Sequence, residues 1–443
     1  MKVIVAGGVA AGMSAASKII RIQKDARINV YEKGGYLSYG ACGLSYYVAG
    51  YNEDPDKLIA RTRATFEKMD INTFLHHEII AVDTRDKVVT VKNLQSGETF
   101  KDTYDKLMIG TGAAAIKPPI LGIDKKGVYV LKTMEDGLLL KEAVAGYGIR
   151  NVVVVGGGYI GIEVVEAMHA LKKNVVCIEA ADKILAPFDD EITAVAVKEL
   201  QDKGIEVHTG EKVIEFRGTE SVNEVLTDKG RYVADLVVVS AGVRPNTQFL
   251  EGTDVSLARN GAVIVDREMR TSSPDVFAAG DCAMVYDLVK QKNVYLPLGT
   301  AANKCGRIAG NNICGGHEVF VGMTSSAALK VCDVQLGRTG LGEREAIDMG
   351  YTVGSVTIEG RNHPAYFPGM EPLYIKVIYE KPSMRILGAQ LAGKDGAALR
   401  TDVFVVAINA GMTTKQLGMA DLIYSPPYAG VWDAIQIACN AAR

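Results

Sequence analysis

The sequence predicts an α/β protein of two or three domains, and three observations carry that expectation. Two stretches, "KVIVAGGVAAGMSAASKII" from Lys2 and "NVVVVGGGYIGIEVVEAM" from Asn151, each run from an apolar strand-type segment through a glycine turn into a helix. Each is followed by an acid that closes a second apolar run: Glu32 ends "INVYE", 20 residues after Gly12, and Glu179 ends "NVVCIE", 18 residues after Gly161. A chain of 443 residues is also too long for a single core.

Each strand–turn–helix unit sets backbone N–H groups and a helix N-terminus against a pyrophosphate, so both read as Rossmann-like dinucleotide sites. The second has the full G-x-G-x-x-G at Gly156, Gly158 and Gly161. The first departs from it, with Val9 at the middle position between Gly7 and Gly12. The acids at Glu32 and Glu179 are placed to hydrogen-bond ribose hydroxyls. Glu179 would repel a 2′-phosphate, and "AADK" after it offers no Arg to bind one. NADH is therefore expected at the second unit, with NADPH the lesser option. The first unit takes the other dinucleotide, and FAD is the usual partner.

Composition narrows the function class. The net charge of −3 and the ordinary 23% of charged residues exclude a broad basic face for nucleic acid. No apolar run approaches the roughly 18 residues of a membrane span. The N-terminus reads as a strand, so no signal peptide is expected. Seven scattered cysteines make no disulfide framework and read as reduced thiols of a cytoplasmic protein. No metal site is expected.

Further motifs make the chain recognisable. "TSSPDVFAAGDCA" (Thr271–Ala283), "YDKLMIGTGA" (Tyr104–Ala113), "LVVVSAGVRPNT" (Leu236–Thr247) and "LGTAANKCGRIAG" (Leu298–Gly310) together resemble the flavoprotein disulfide reductases. The match is to their single-cysteine branch of coenzyme A-disulfide reductases, NADH oxidases and NADH peroxidases. The resemblance implies a FAD domain in two parts, 1–112 and 246–320, an NAD domain over 113–245, and an α+β dimerisation domain over 321–443. In that last domain "MRILGAQLAG" near Met384 fits a strand hairpin. It implies FAD contacts at Gly7, Gly12, Glu32, Lys33, Ala113, Asp281 and Ala301. It implies NAD contacts at Gly156, Gly158, Tyr159, Ile160, Gly161, Glu163, Glu179 and Gly242. Tyr159 would lie over the flavin and swing aside for the nicotinamide, toward which Glu163 is oriented.

"SYGACGLSYY" (Ser38–Tyr47) then acquires a meaning. In a C-x₄-C redox loop the partner of Cys42 falls at position 47, and here that residue is Tyr47. The stretch resembles the coenzyme A-disulfide reductase signature, which places Cys42 beside the flavin. A helix is expected after Cys42, and its N-terminus together with the flavin would favour the thiolate. The other six cysteines read as inert.

The relatives differ in what the lone sulfur bonds. Oxidases and peroxidases cycle it through sulfenic acid and usually carry a histidine in the first glycine loop, where this chain has Ala10. Coenzyme A-disulfide reductases form a mixed disulfide with coenzyme A, and present two tyrosines from the partner subunit. "AYFPGM" and "YSPPYAGVWD" match the segments that carry them, giving Tyr366 and Tyr424 with Tyr428 nearby. A phenol can protonate a departing thiolate without a histidine.

Coenzyme A is a large anion. Ser38, Arg21 and Arg61 are its candidate contacts, and Lys18, Arg21 and Lys24 are expected on one face of the first helix. The expected function is an NADH-dependent, FAD-containing reductase of coenzyme A disulfide, persulfide or polysulfide, acting as a homodimer with Tyr366, Tyr424 and Tyr428 in trans. The alternatives are an NADH oxidase or peroxidase, with oxygen or peroxide as acceptor, and a redox-sensing flavoprotein that turns over slowly.

Overall fold

The computed structural model describes residues 1–443 and contains two parallel sheets and one large antiparallel sheet. The first parallel sheet has the order Val276–Ala278, Lys106–Ile109, Lys2–Ala6, Arg27–Glu32, Ile71–Leu75. Strands such as "KVIVA" are apolar at nearly every position because helices or loops cover both faces. Helix Ala10–Ile22 lies on one face and crosses helix Gly299–Ile313 at unusually close range. A Cβ at Gly306 would sit 2.4 Å from the Ala11 carbonyl oxygen, and one at Gly310 would sit 2.6 Å from that of Ala15. The glycines thus let backbone meet backbone, drawing residues 276–313 onto the first sheet.

The second parallel sheet repeats the plan, in the order Glu206–His208, Asn174–Ile178, Asn151–Val155, Leu236–Val239, Val128–Tyr129. Each parallel sheet is accompanied by a three-stranded antiparallel one, His77–Thr103 and Val213–Val233 respectively. The chain passes between the two units on Ala113–Ala115 and returns on Val243–Pro245. These segments pair antiparallel, so the two connections brace each other.

Residues beyond 326 form a five-stranded antiparallel sheet, with Ile386–Gly393 buried at every position and Val353–Arg361 at one edge. The expected hairpin near Met384 is there: Pro372–Glu380 pairs with Ile386–Gly393 around a turn in which Met384 is left-handed. Helices Ala397–Asn409 and Ala434–Ala441 pack on this sheet. Its buried Lys376 reaches Asp189 at 3.2 Å, Glu191 at 3.0 Å and Glu343 at 2.7 Å. The first two belong to the second unit, so one desolvated ammonium pins that unit to the antiparallel sheet. No helix is long and apolar enough to cross a membrane.

Candidate active site

The two glycine turns are built alike. Gly7 and Gly156 have φ of +100° and +107°, which only glycine adopts without strain. A Cβ at Gly12 would lie 1.9 Å from the Gly7 carbonyl oxygen, and one at Gly161 the same distance from that of Gly156. The acids close the turns in the same way. Glu32 accepts from the Gly8 N–H at 2.6 Å and the Gly34 N–H at 2.7 Å. Glu179 accepts from Gly157 at 2.6 Å and Ala181 at 2.7 Å. Burial holds the Glu32 carboxyl above its ordinary range despite those two hydrogen bonds. A backbone cradle that no side chain could enter, with a carboxylate at its lip, fits a dinucleotide in both units.

The remaining expected contacts fall around these turns. Lys33 is exposed, just past Glu32. Ala113 lies on the connection between units, paired with Pro245, and Gly242 on the return has φ +100°. Ala301 is buried in the first turn of helix Gly299–Ile313. Gly158 precedes helix Tyr159–Ala170, in which Ile160 follows the Tyr159 ring. That ring packs edge-on against Phe188 with centroids 6.1 Å apart, and Arg338 lies beside its hydroxyl. Asp281 accepts from Lys132 Nζ at 2.8 Å, a partner 149 residues away that local sequence could not signal.

Cys42 occupies a tight turn, Ala41–Gly43, ahead of the helix Leu44–Val48. The residue as a whole is exposed. The expectation that a helix N-terminus would favour the thiolate needs correction in one respect. Burial by the surrounding protein, then the Glu163 carboxylate, push the Cys42 thiol above its ordinary value, and Lys132 only partly opposes them. The helix is five residues long, too short for much of a macrodipole. Glu163 is itself pushed up to about 7, first by burial and then by Glu166, with Ser45 Oγ donating to it at 3.5 Å.

Tyr47 cannot stand in for a second thiol. It is buried, its ring lies 4.6 Å from Lys141 Nζ, and its carbonyl accepts from that ammonium at 2.9 Å. Cys177, Cys282, Cys305, Cys332 and Cys439 are buried, and Cys314 is half-buried. Ala10 opens the first helix and brings no polar side chain to the glycine loop.

Ser38 is held in a left-handed conformation, φ +47°, by hydrogen bonds from its N–H to Gly8 and to its carbonyl from Ala60. Arg61 reaches back to Ser17 Oγ at 3.5 Å, one helical turn before the exposed Arg21, so these two cations share a surface beside the cysteine segment. Lys24 does not join them. The helix ends at Ile22, and Lys24 instead borders a groove with Asp25, Arg27, Glu67 and Asp70. Arg63 is likewise diverted, to the Thr73 carbonyl and Glu67.

Tyr366 and Tyr424 come together on the antiparallel-sheet domain with their hydroxyls 3.0 Å apart. That hydrogen bond raises the Tyr366 pKa, so this phenol keeps its proton at neutral pH. Tyr428 lies nearby in sequence and is exposed. No hydrogen bond or ring contact within the chain links the three to Cys42.

Comparison with known proteins agrees with this architecture. Residues 1–299 match the pyridine nucleotide-disulphide oxidoreductase family, and residues 326–434 match its dimerisation domain. The chain is 36% identical to the NAD(P)H coenzyme A polysulfide/persulfide reductase of Pyrococcus horikoshii, covering all of this chain and 98% of that one. It is 33% identical to an NADH oxidase of Enterococcus faecalis over all of this chain and 99% of that one. The structure of an NAD-dependent persulfide reductase from A. fulgidus superposes with a TM-score of 0.95 at 37% identity, over 99% of this chain and 82% of that one. With two dinucleotide cradles, an exposed free cysteine in the segment between them and a dimerisation domain, this chain is an oxidoreductase belonging to the pyridine nucleotide-disulphide oxidoreductase family.

Proposed function

We propose that the protein uses NADH to reduce a disulfide or persulfide of coenzyme A through Cys42. The observation that carries this reading is the isolation of Cys42: Tyr47 stands locked under Lys141 where a second cysteine would be, and the other thiols are buried or half-buried elsewhere. The sulfur that pairs with Cys42 must then arrive with the substrate. Persulfide and polysulfide reductases among the similar proteins support the same class of acceptor.

In this reading FAD is held by the turn at Gly7–Gly12, Glu32 and Asp281, and when bound it carries the two electrons of NADH toward Cys42. NADH is held at Gly156–Gly161, with Glu179 turning away a 2′-phosphate. The Cys42 thiolate attacks one sulfur of the coenzyme A disulfide. The S–S bond breaks, a Cys42–coenzyme A disulfide forms, and the departing thiolate takes a proton from the Tyr366–Tyr424 pair of the partner subunit, which solvent restores. NADH gives up a hydride equivalent, whose two electrons cleave the mixed disulfide and regenerate the Cys42 thiolate and whose proton leaves on the second thiol; with the proton taken up in the first step, NADH, H⁺ and one disulfide give NAD⁺ and two thiols. Ser38, Arg21 and Arg61 bind the nucleotide end of coenzyme A. Two copies complete the site, which makes the working unit a homodimer.

The deciding experiment is anaerobic NADH oxidation with coenzyme A disulfide as sole acceptor, beside an aerobic run without it. The expected result is two thiols per NADH, lost in Cys42→Ser. Negligible anaerobic turnover with brisk oxygen consumption would establish the oxidase instead, the activity named for the Enterococcus relative.

A further inference from the structure

Tyr366 and Tyr424 sit on segments without regular secondary structure, at 71% and 50% exposure, yet their hydroxyls meet at 3.0 Å. Something must hold two exposed loops in register. The first loop runs from Asn362 to Glu371 and is closed by Asn362, which is buried. Its Oδ1 accepts from the N–H groups of His363 at 2.9 Å and Glu371 at 2.8 Å. The second runs from Tyr424 to Asp433 and folds back on itself, with the Tyr428 and Ala429 N–H groups both donating to the Ser425 carbonyl at 2.9 Å.

Neither set of hydrogen bonds ties one loop to the other. Arg400 does. From helix Ala397–Asn409 its Nη2 donates to the Asn362 carbonyl at 2.8 Å and to the Tyr428 carbonyl at 2.8 Å. Its Nε donates to Asp433 Oδ2 at 3.0 Å, and Nη2 lies 2.9 Å from the same oxygen. The side chains of Arg400 and Asp433 are 15% and 7% exposed, so little water competes for these donors. The site is also shaped for a guanidinium. Gly396, left-handed at φ +78°, leaves open a space in which a Cβ would lie 2.1 Å from Arg400 Nη1.

We propose that Arg400 is a positioning residue for disulfide reduction: by joining the Tyr366 loop to the Tyr424 loop, it sets the hydroxyl pair that protonates the departing thiolate. This inference rests on the reading above that the two phenols serve Cys42. Only a planar fork reaches a carboxylate and two carbonyls of separate segments at once; an ammonium at the end of a lysine keeps the charge for Asp433 and loses the bridge.

The chain carries a reporter for this. Trp432, the sole tryptophan, lies in the second loop next to Asp433. The holoenzyme variants Arg400→Lys and Gly396→Ala misplace the guanidinium in two independent ways, so either alone is informative should the other fail to fold. NADH-dependent dye reduction checks loading and fold. The expected result is increased acrylamide quenching of Trp432 and a kcat for coenzyme A disulfide reduced at least tenfold, with KM changed less than threefold. Adding Tyr366→Phe and Tyr424→Phe to either variant should then cost little more. Unchanged kcat in a variant whose melting temperature has fallen overturns the positioning role and leaves Arg400 a structural residue. The double phenylalanine variant of the unaltered chain isolates the underlying reading: if it turns over coenzyme A disulfide normally, the phenols are not proton donors and the positioning role falls with them. A loss there with intact Arg400→Lys and Gly396→Ala turnover refutes Arg400 alone.

Discussion

Glu163 is the titratable side chain whose charge bears on the Cys42 thiol. Its carboxyl is lifted to about 7 because burial disfavours the charge and Glu166 adds to the effect, while Ser45 gives back only part. For an acid whose pKa rises on folding, the protonated form is the one the fold prefers. The associated stability is fully present below the unfolded carboxyl value, is lost as pH rises, and is gone above about 7. Glu163→Gln removes that penalty. The variant should gain on the order of 2 kcal/mol over the unaltered chain at alkaline pH and almost nothing at acid pH, measured by chemical denaturation at both. The same change takes away the carboxylate that helps raise the Cys42 thiol, so the pH midpoint of Cys42 alkylation should move down. An unmoved midpoint would mean that Glu163 does not contribute to raising it.

Among the elements, the crossing of helices Ala10–Ile22 and Gly299–Ile313 decides whether the first cradle exists. One helix carries the glycine turn at its N-terminus, and the other follows the Gly280–Asp281 segment. They approach so closely that Ala11 and Ala15 carbonyls lie where side chains of Gly306 and Gly310 would otherwise be. Backbone cannot yield as a flexible side chain can, so Gly306→Val should cost about 3 kcal/mol or more. Thermal melting of the variant should fall by several degrees, with flavin lost on gel filtration. Nothing local in the sequence of the first helix told which later helix would pack against it.

For the molecule as a whole, the antiparallel-sheet domain exposes apolar side chains that a single chain leaves uncovered. Leu399 and Val406, two turns apart on one helix, are 79% and 66% exposed, and Ile423 and Val431 are 79% and 69% exposed. A patch of this kind on the family's dimerisation domain is expected to close against a second copy. Leu399→Glu with Val406→Glu should shift sedimentation from dimer to monomer and reduce coenzyme A disulfide turnover at least a hundredfold, while NADH-dependent dye reduction persists. Full turnover by a monomer would mean that one chain supplies its own tyrosines.

What could be read from the sequence follows from short-range sterics. A glycine at φ near +100°, a strand apolar on both faces and an acid at the next strand's end are local patterns, so both dinucleotide turns and their acids at Glu32 and Glu179 were legible in residue order. The Cys42 segment and the tyrosine segments were legible through their resemblance to a family. The helix limit at Ile22, which strands Lys24, was missed by two residues because helix ends depend on what the next residues pack against. The pairing of Lys132 with Asp281, of Ser45 with Glu163, and of Arg400 with two separate loops joins residues tens to more than a hundred positions apart. No local pattern encodes such meetings. They are set by where packed sheets and helices leave charged groups out of water, and a charge or carbonyl in that position must take whichever partner the fold brings within reach.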